Sequence, residues 1–379
     1  MKSGMNSMKV GVLGGGQLGR MFLRQANDID LNISILDPND DAPCASITNN
    51  FHCGDFTDYE TVLNFGRKND IITIEIENVN TAALKTLRDE GKTVRPDPDF
   101  IEIIQDKGLQ KQFLYDNKIS TPPFYVVENL EKLKERKHSY PVVQKLRTGG
   151  YDGKGVQILN SSSDIGKAFD APSVIEEKVN IQQELAIQVS RDGKGRISLF
   201  PPVGMAFHEE ANLLDYLYAP ANLSPGIKQK MEKTAIEIAQ KAELTGILAI
   251  EFFLDKNNEL WVNEMAPRPH NSGHHTLQAN YTSQYGQLVR SLLDLPPGET
   301  SLHHSAVMVN LLGEPGYEGT AIVQGLDKAL QLPRVFVNLY GKKQTKPYRK
   351  MGHATILGHS TEEALEKARL VKATIKIIS

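Results

Sequence analysis

Glu251-Phe252-Phe253-Leu254-Asp255-Lys256-Asn257-Asn258-Glu259-Leu260-Trp261-Val262-Asn263-Glu264 reads as two apolar strands joined by a turn, and it runs directly into Met265-Ala266-Pro267-Arg268-Pro269-His270-Asn271-Ser272-Gly273-His274. Asparagine tolerates the positive φ of a tight hairpin, so Asn257-Asn258 is read as a two-residue loop. That register pairs Lys256 with Glu259 and, counting outward, Glu251 with Glu264. The two carboxylates then stand opposite each other with Cβ atoms about 5 Å apart, which costs stability unless a cation lies between them. Mg2+ suits the position, because it is commonly held by one or two carboxylates together with substrate phosphates, and Asn263 adds a neutral oxygen. A solvated hairpin carrying two surface glutamates has the same pattern, since the register is inferred from the turn.

Composition narrows the classes of function. The chain has 379 residues, 40% hydrophobic and 23% charged, which fits a soluble protein of roughly two to four structural units. A net charge of −3 with scattered lysines and arginines gives no basic field for nucleic acid, so small-molecule chemistry is expected. Cys44 and Cys53 are too few for a disulfide framework or a zinc site and read as packing residues in a reducing cytosol. The segment from Met1 to Met8 lacks a signal-peptide core, and no run of about 18 apolar residues occurs, so a cytoplasmic protein without a membrane span is expected. Met5 and Met8 are alternative starts to Met1.

At the N-terminus, the strand Lys9 to Leu13 enters Gly14-Gly15-Gly16-Gln17-Leu18-Gly19 and a helical pattern, and a second strand ends in Asp37. This is a Rossmann-like opening, yet a lone G-x-G-x-x-G also describes a general phosphate site at a helix N-terminus. A third strand, Asp70 to Ile74, delivers Glu75, Glu77 and Asn78 to the carboxyl edge of the same sheet, where ligands bind in such folds. A helical stretch from about Phe100 to Asn117 precedes Ser120-Thr121-Pro122-Pro123, read as a linker. After the strand Tyr140 to Leu146, the segment Arg147-Thr148-Gly149-Gly150-Tyr151-Asp152-Gly153-Lys154-Gly155 sets four glycines in seven residues close to Lys145 and Lys154. Its backbone N–H groups and ammonium groups can close over a polyphosphate, although a glycine-rich hairpin looks the same. Strands are expected at Ser173–Val179 and Gln183–Ser190, then a helix opened by Ser224-Pro225 whose apolar face is core.

The glycine-rich loop, the two-carboxylate hairpin and the Rossmann-like opening, in this order, resemble the ATP-grasp ligases. Gly14 to Met21, Thr148 to Gly155, Asn263 to His274 and Arg349-Lys350-Met351-Gly352-His353 are similar to the signatures of the 5-(carboxyamino)imidazole ribonucleotide synthases, and the resemblance spans almost the whole chain. It implies an α/β fold, α+β in the ATP-binding part: a Rossmann-like N-terminal domain (1–120), a glycine-rich lid subdomain (121–182), an ATP-grasp central domain with the Mg/ATP site (183–300) and a small β-rich C-terminal domain (301–379).

The same resemblance implies the site. ATP is expected at Lys107, Lys145, Gly150, Tyr151, Asp152, Gly153, Lys154 and Gly155, at the adenine hinge Glu176, Glu177, Lys178 and Val179, and at Glu184, His208, Asn263 and Glu264. Glu251, Glu264 and Asn263 are expected to bind Mg2+, with Mn2+ as an alternative ion. The ribonucleotide is expected near Gln17, Leu18, Glu75, Asn271 and Ser272, its phosphate drawn to Lys342 and Arg349. The implied reaction is ATP- and bicarbonate-dependent carboxylation of 5-aminoimidazole ribonucleotide through carboxyphosphate, in purine biosynthesis. Arg268 would hold bicarbonate or phosphate oxygens, and His270, Asp152 and Lys350 are the candidates for moving the proton. The resemblance alone implies a homodimer; a product passed to a separate mutase is expected because the stretch from Thr361 to Ser379 reads as one helix and a strand and not as a second catalytic module. Two positions depart from the family pattern: Ala206 stands where an Asn is common, and Tyr348 where a small residue usually precedes Arg349.

Three other readings use some of these residues. A formate-using glycinamide ribonucleotide transformylase or a biotin carboxylase shares the ATP site, but Gln17-Leu18-Gly19-Arg20 and His270-Asn271-Ser272-Gly273-His274 argue against both. An NAD-dependent dehydrogenase explains Gly14 to Gly19 and Asp37 while leaving Gly149 to Gly155 and the Glu251/Glu264 pair without purpose. A silent nucleotide-binding subunit is expected to have lost some of Lys145, Glu251, Asn263 and Glu264, all of which are present. His274, His275, His303 and His304 could suggest a transition metal, but an oxygen-rich ATP site favours Mg2+.

Overall fold

The apolar run Lys9–Leu13 (β1) is buried on both faces, as a strand inside a parallel sheet must be. It pairs in parallel with Asn32–Asp37 (β2) and Ile71–Ile74 (β4), and Phe51–Cys53 (β3) and Thr93–Val94 (β5) complete the order β3-β2-β1-β4-β5 in this computed structural model. The structure describes residues 8–136, 138–150, 155–207 and 214–379. Strand order reverses beside β1, so the loops after β1 and β4 flank the crevice where doubly wound sheets bind ligands.

Helices Gln17–Asn27 (α1), Tyr59–Arg67 (α2), Thr81–Asp89 (α3) and Pro98–Gln105 (α4) accompany this sheet. The expected single helix from Phe100 to Asn117 is two, because Asp106 leaves the helical region at φ −119°, ψ 112° and caps Lys107–Asp116 (α5) by accepting from Gly108 N. An aspartate offers the backbone this alternative more readily than it continues a helix.

Phe124–Val127 (β6), Val142–Leu146 (β7), Val156–Leu159 (β8) and Ser173–Glu177 (β9) form a four-stranded antiparallel sheet, with Leu130–Glu135 (α6) alongside. The remaining large sheet holds Ile181–Arg191 (β10), Ile197–Leu199 (β11), Val203–Phe207 (β12), Leu214–Ala219 (β13), Gly246–Asp255 (β14) and Leu260–Ala266 (β15). Pro225–Lys241 (α7) packs on it through Met231, Ala235, Ile238 and Ala239, in one cluster with Leu185, Leu248, Ile250 and Phe252.

The same sheet runs on without a break into Ser305–Leu312 (β16), which pairs with β13. Two two-stranded ribbons lie off it: Gly319–Thr320 (β17) with Gln344–Thr345 (β20), and Ile322–Gln324 (β18) with Lys376–Ile378 (β22). Val335–Leu339 (β19) and Lys350–Gly358 (β21) close the large sheet, covered by Thr361–Thr374 (α11), with Leu326–Ala329 (α10) beside it. Strands β16, β21 and β19 of the C-terminal segment are thus continuous with the central sheet. Thr276–Ala279 (α8) leads to Gln284–Leu292 (α9), whose Tyr285, Leu288, Val289 and Leu292 share one core with Met21, Phe22 and Ala26 of α1. That apolar seam fixes the N-terminal sheet against the large sheet.

Candidate active site

The hairpin β14–β15 brings Glu251 opposite Glu264, as its sequence suggests, but by a different route. The loop has three residues and not two: Asp255 N bonds Glu259 O, Asn258 N bonds Asp255 O, and Asn258 takes the left-handed φ of 63°. Leu254 therefore pairs with Leu260, a register one residue away from the expected one, until a bulge between Glu251 and Phe252 restores it. Asn263 is the residue left over. The bulge lets neighbouring residues Asn263 and Glu264 both serve the site, which plain strand alternation would prevent.

Each is met by a lysine. Lys107 Nζ donates to Glu264 Oε2 at 2.7 Å, and Lys145 Nζ to Asn263 Oδ1 at 2.8 Å. Lys145 comes from β7 and Lys107 from the first turn of α5, whose cap Asp106 takes a two-pronged bond from Arg147, with NH2 to Oδ2 at 2.7 Å. Arg147 opens the glycine-rich segment, so one helix end anchors both that segment and the Glu264 contact. The same helix continues onto the hairpin: Gln110 Oε1 accepts from Met265 N at 3.0 Å, and Lys111 Nζ lies 3.0 Å from Glu176 Oε1. Sequence reading missed Gln110 and Lys111. Their spacing from Lys107, three and four residues on, was the available signal for one shared helix face.

Glu176 also differs from the expectation that puts it at the adenine hinge through its strand end. Its carboxylate is buried and taken by Lys111 and Lys145, which lies 2.9 Å from Oε2. Burial pushes this carboxyl up, but the two ammonium groups outweigh it and hold it below the usual range. Gly155, Glu177, Lys178, Val179 and Glu184 follow around β8, β9 and β10, whereas Tyr151, Asp152, Gly153, Lys154 and His208 lie outside the described residues.

The carboxylates show how ill-suited this site is to standing without a cation. Desolvation raises Glu184 to about 7. Desolvation, then the charges of Glu264 and Glu184, raise Glu251, while Lys107 holds Glu264 well below the normal range. Two opposed carboxylates and one amide oxygen are hard donors that fit Mg2+, and among the described residues no group of three His, Cys, Asp or Glu forms a complete metal cage. The remaining ligands of such an ion would come from a substrate.

A second group of residues gathers at the N-terminal crevice. Gly15 N donates to Asp37 Oδ2 at 2.7 Å, and Leu18 N and Gly19 N point at Glu75 Oε1 at 3.0 and 3.4 Å. The start of α1 is therefore satisfied by the protein's own carboxylates, where a dinucleotide would place its pyrophosphate. Burial raises Glu75 to about 7 against the pull of Arg268 and the two N–H groups. Lys342 Nζ reaches Gln17 Oε1 at 2.9 Å and the Lys350 carbonyl at 2.7 Å. Arg349 instead donates from NH1 to the Gln344 carbonyl at 2.7 Å, lining a cavity of about 380 Å³ with Glu318, Thr345 and Lys346. Tyr348 holds φ 62°, a backbone that favours glycine, which explains in physical terms why a small residue is expected there.

Arg268 joins the two groups. Two residues past the end of β15, its Nε lies 2.8 Å from Glu77 Oε2 beyond β4. His270 caps a short 3-10 turn, Asn271–Gly273, its Nδ1 accepting from Ser272 N at 3.3 Å and lying 3.0 Å from Ser272 Oγ. That assignment leaves the proton of the neutral ring on Nε2. His274 and His275 are fully buried, and burial keeps both rings neutral, with His275 pushed down to about 3.

Comparison with known proteins identifies the family. Residues 7–105 match the ribonucleotide synthetase preATP-grasp domain, 112–285 the ATP-grasp domain and 306–367 the phosphoribosylaminoimidazole carboxylase C-terminal domain. The N5-carboxyaminoimidazole ribonucleotide synthase of Synechococcus elongatus is 35% identical, with 97% of this chain and 95% of that protein covered. The chain belongs to the N5-carboxyaminoimidazole ribonucleotide synthase family. The synthetase of Thermotoga maritima superposes with a TM-score of 0.91 at 40% identity, covering 98% of this chain and 99% of that one. The Aspergillus clavatus synthase, solved with ADP and 5-aminoimidazole ribonucleotide, gives 0.89 at 30% identity over 98% and 99%. The family fold is the ATP-grasp fold expected from the sequence, and its members are ATP-grasp ligases.

Proposed function

We propose that this protein carboxylates the exocyclic amine of 5-aminoimidazole ribonucleotide with ATP and bicarbonate, giving N5-carboxyaminoimidazole ribonucleotide for purine biosynthesis. The observation that carries this reading is Arg268 on Glu77, which ties the lysine-rich carboxylate hairpin to the switch-point crevice of the N-terminal sheet. ATP belongs to the hairpin side, with Lys107 and Lys145 at its phosphates, and the ribonucleotide to the crevice, near Gln17, Leu18, Glu75, Asn271 and Ser272 with Lys342 toward its phosphate. Glu251, Glu264 and Asn263 would hold Mg2+, which when bound supplies countercharge to the transferring phosphoryl group.

A bicarbonate oxygen attacks the γ-phosphorus; that O–P bond forms as the bond to the ADP oxygen breaks, leaving carboxyphosphate. Lys107 and Lys145 meet the charge on the phosphoryl oxygens, and Arg268 offers a planar fork to bicarbonate. Carboxyphosphate then splits into phosphate and CO2, whose carbon takes the amine lone pair while the amine loses a proton. In the tautomer whose Nδ1 accepts from Ser272 N, 3.8 Å from Glu251 Oε1, His270 carries its proton on Nε2 and suits the oxygens of bicarbonate or phosphate. The proton from the amine goes to the Asp152 carboxylate or to the phosphate released with CO2, and Lys350 serves as a donor. Cytoplasmic location, a homodimeric state and transfer to a separate mutase belong to the same reading; among the described residues no helix is long and apolar enough to cross a membrane.

Oxygen-labelled bicarbonate tests the route. Transfer of one bicarbonate oxygen into inorganic phosphate during turnover supports carboxyphosphate, whereas unlabelled phosphate sinks it.

A further inference from the structure

Lys111 belongs to the site without reaching it. One turn beyond Lys107 on α5, it is 2% exposed, and its ammonium is occupied inside the protein by Thr121 Oγ1 at 2.6 Å and Glu176 Oε1 at 3.0 Å. Glu176, also 2% exposed, gives its other oxygen to Lys145 Nζ at 2.9 Å, and Lys145 continues to Asn263 Oδ1 at 2.8 Å. Thr121 in turn donates to the Val262 carbonyl, next to Asn263 on β15. The row of contacts therefore runs from the edge of the hairpin, through three buried charges, back to the bulge residue.

Charge balance gives this row a purpose. A buried Glu176 facing Lys145 alone would neutralise it at short range, and in a weakly screening interior that removes most of its pull on an incoming anion. A second ammonium on the far oxygen satisfies the carboxylate from behind. The trio then carries one net positive charge, and Lys145, at 8% exposure, is the lysine nearer the site.

We propose that Lys111 is a positioning residue for the nucleotide: acting through Glu176, it holds Lys145 in place and keeps its charge available to the polyphosphate. This deepens the ATP-dependent reading and rests on it. Lys111 itself would touch neither substrate, so its replacement should act on ATP and spare the ribonucleotide.

The test is steady-state kinetics and thermal unfolding of the full chain carrying Lys111→Met, Glu176→Gln or both. Lys111→Met is expected to raise KM for ATP about tenfold while KM for the ribonucleotide moves less than about twofold. In the Glu176→Gln background, adding Lys111→Met should cost less than about another twofold, because its route of action is already gone. An unchanged KM for ATP in folded Lys111→Met overturns the proposal. So does an equal rise in both KM values with a lowered Tm, the mark of a merely structural role, and so do losses that multiply in the double variant. Should Lys111→Met alone fail to fold, the comparison of Glu176→Gln with the double variant decides by the same criterion. A parent that shows no ribonucleotide-stimulated ADP release locates the failure in the proposed function, and Kd for ATP–Mg2+ then replaces KM in the same comparison.

Discussion

Glu251 and Glu264 face each other across β14–β15 only because Asn263 is bulged out between them and the rest of the hairpin. The bulge and the three-residue loop are each one residue away from a regular two-residue hairpin, and the offsets cancel. The left-handed Asn258 sets the loop. Asn258→Gly is expected to leave activity unchanged, while Asn258→Val should lose about 1–2 kcal/mol of stability, read from urea unfolding.

Burial of Glu251 and, after it, the facing Glu264 carboxylate cost the ligand-free protein stability. A raised folded pKa means that the folded state holds a proton longer than the unfolded chain does, so Glu251 lowers stability as pH rises above the ordinary value of 4.5. Glu251→Gln should therefore raise Tm by an amount that grows with pH from that point, and should reduce turnover at least about a hundredfold. A variant less stable than the parent at pH 8 would contradict this.

The buried histidines work in the opposite direction. Burial pushes His353 down to about 3, and its ring stacks on His274 with centroids 4.7 Å apart while Nδ1 meets Tyr340 OH at 2.9 Å. A depressed histidine pKa gives stability that is complete above 6.5 and lost as pH falls from there toward 3. His353→Gln should flatten the acid side of the stability profile by about 1.4 kcal/mol per pH unit, measured by denaturant unfolding between pH 6.5 and 4.5.

The segment before His274 is tightly seated. A Cβ on Gly273 would stand 1.7 Å from Gln188 Nε2, a side chain buried at 4% exposure. Gly273→Ala should cost about 1–3 kcal/mol by overpacking. Adding Gln188→Ala should recover part of that loss; a double variant as unstable as the sum would show that the strain lies elsewhere.

What could be read in advance follows the range of the interactions. Strand and glycine patterns are local, and they gave the N-terminal sheet, the hairpin carboxylates and Lys145. The partners of those groups come from far along the chain: Lys107 meets Glu264 over 157 residues, and Lys145 meets Asn263 over 118. Lys111 was hidden for that reason, since a lysine in a polar helix looks solvated until the fold supplies Glu176. Asp106 was hidden because a capping aspartate and an exposed helical one look alike in a single sequence. Glu75 and Asp37 read correctly as carboxylates at the sheet edge, but only packing shows that they satisfy the glycine turn themselves.

ADP release by the purified protein with ATP, Mg2+ and labelled bicarbonate, with and without 5-aminoimidazole ribonucleotide, tests the central claim most directly. Stimulation by the ribonucleotide, with the label appearing in an acid-labile carbamate and both signals lost in Glu264→Ala, is the predicted result. ADP release that ignores the ribonucleotide, from a folded protein that binds ATP, would contradict it.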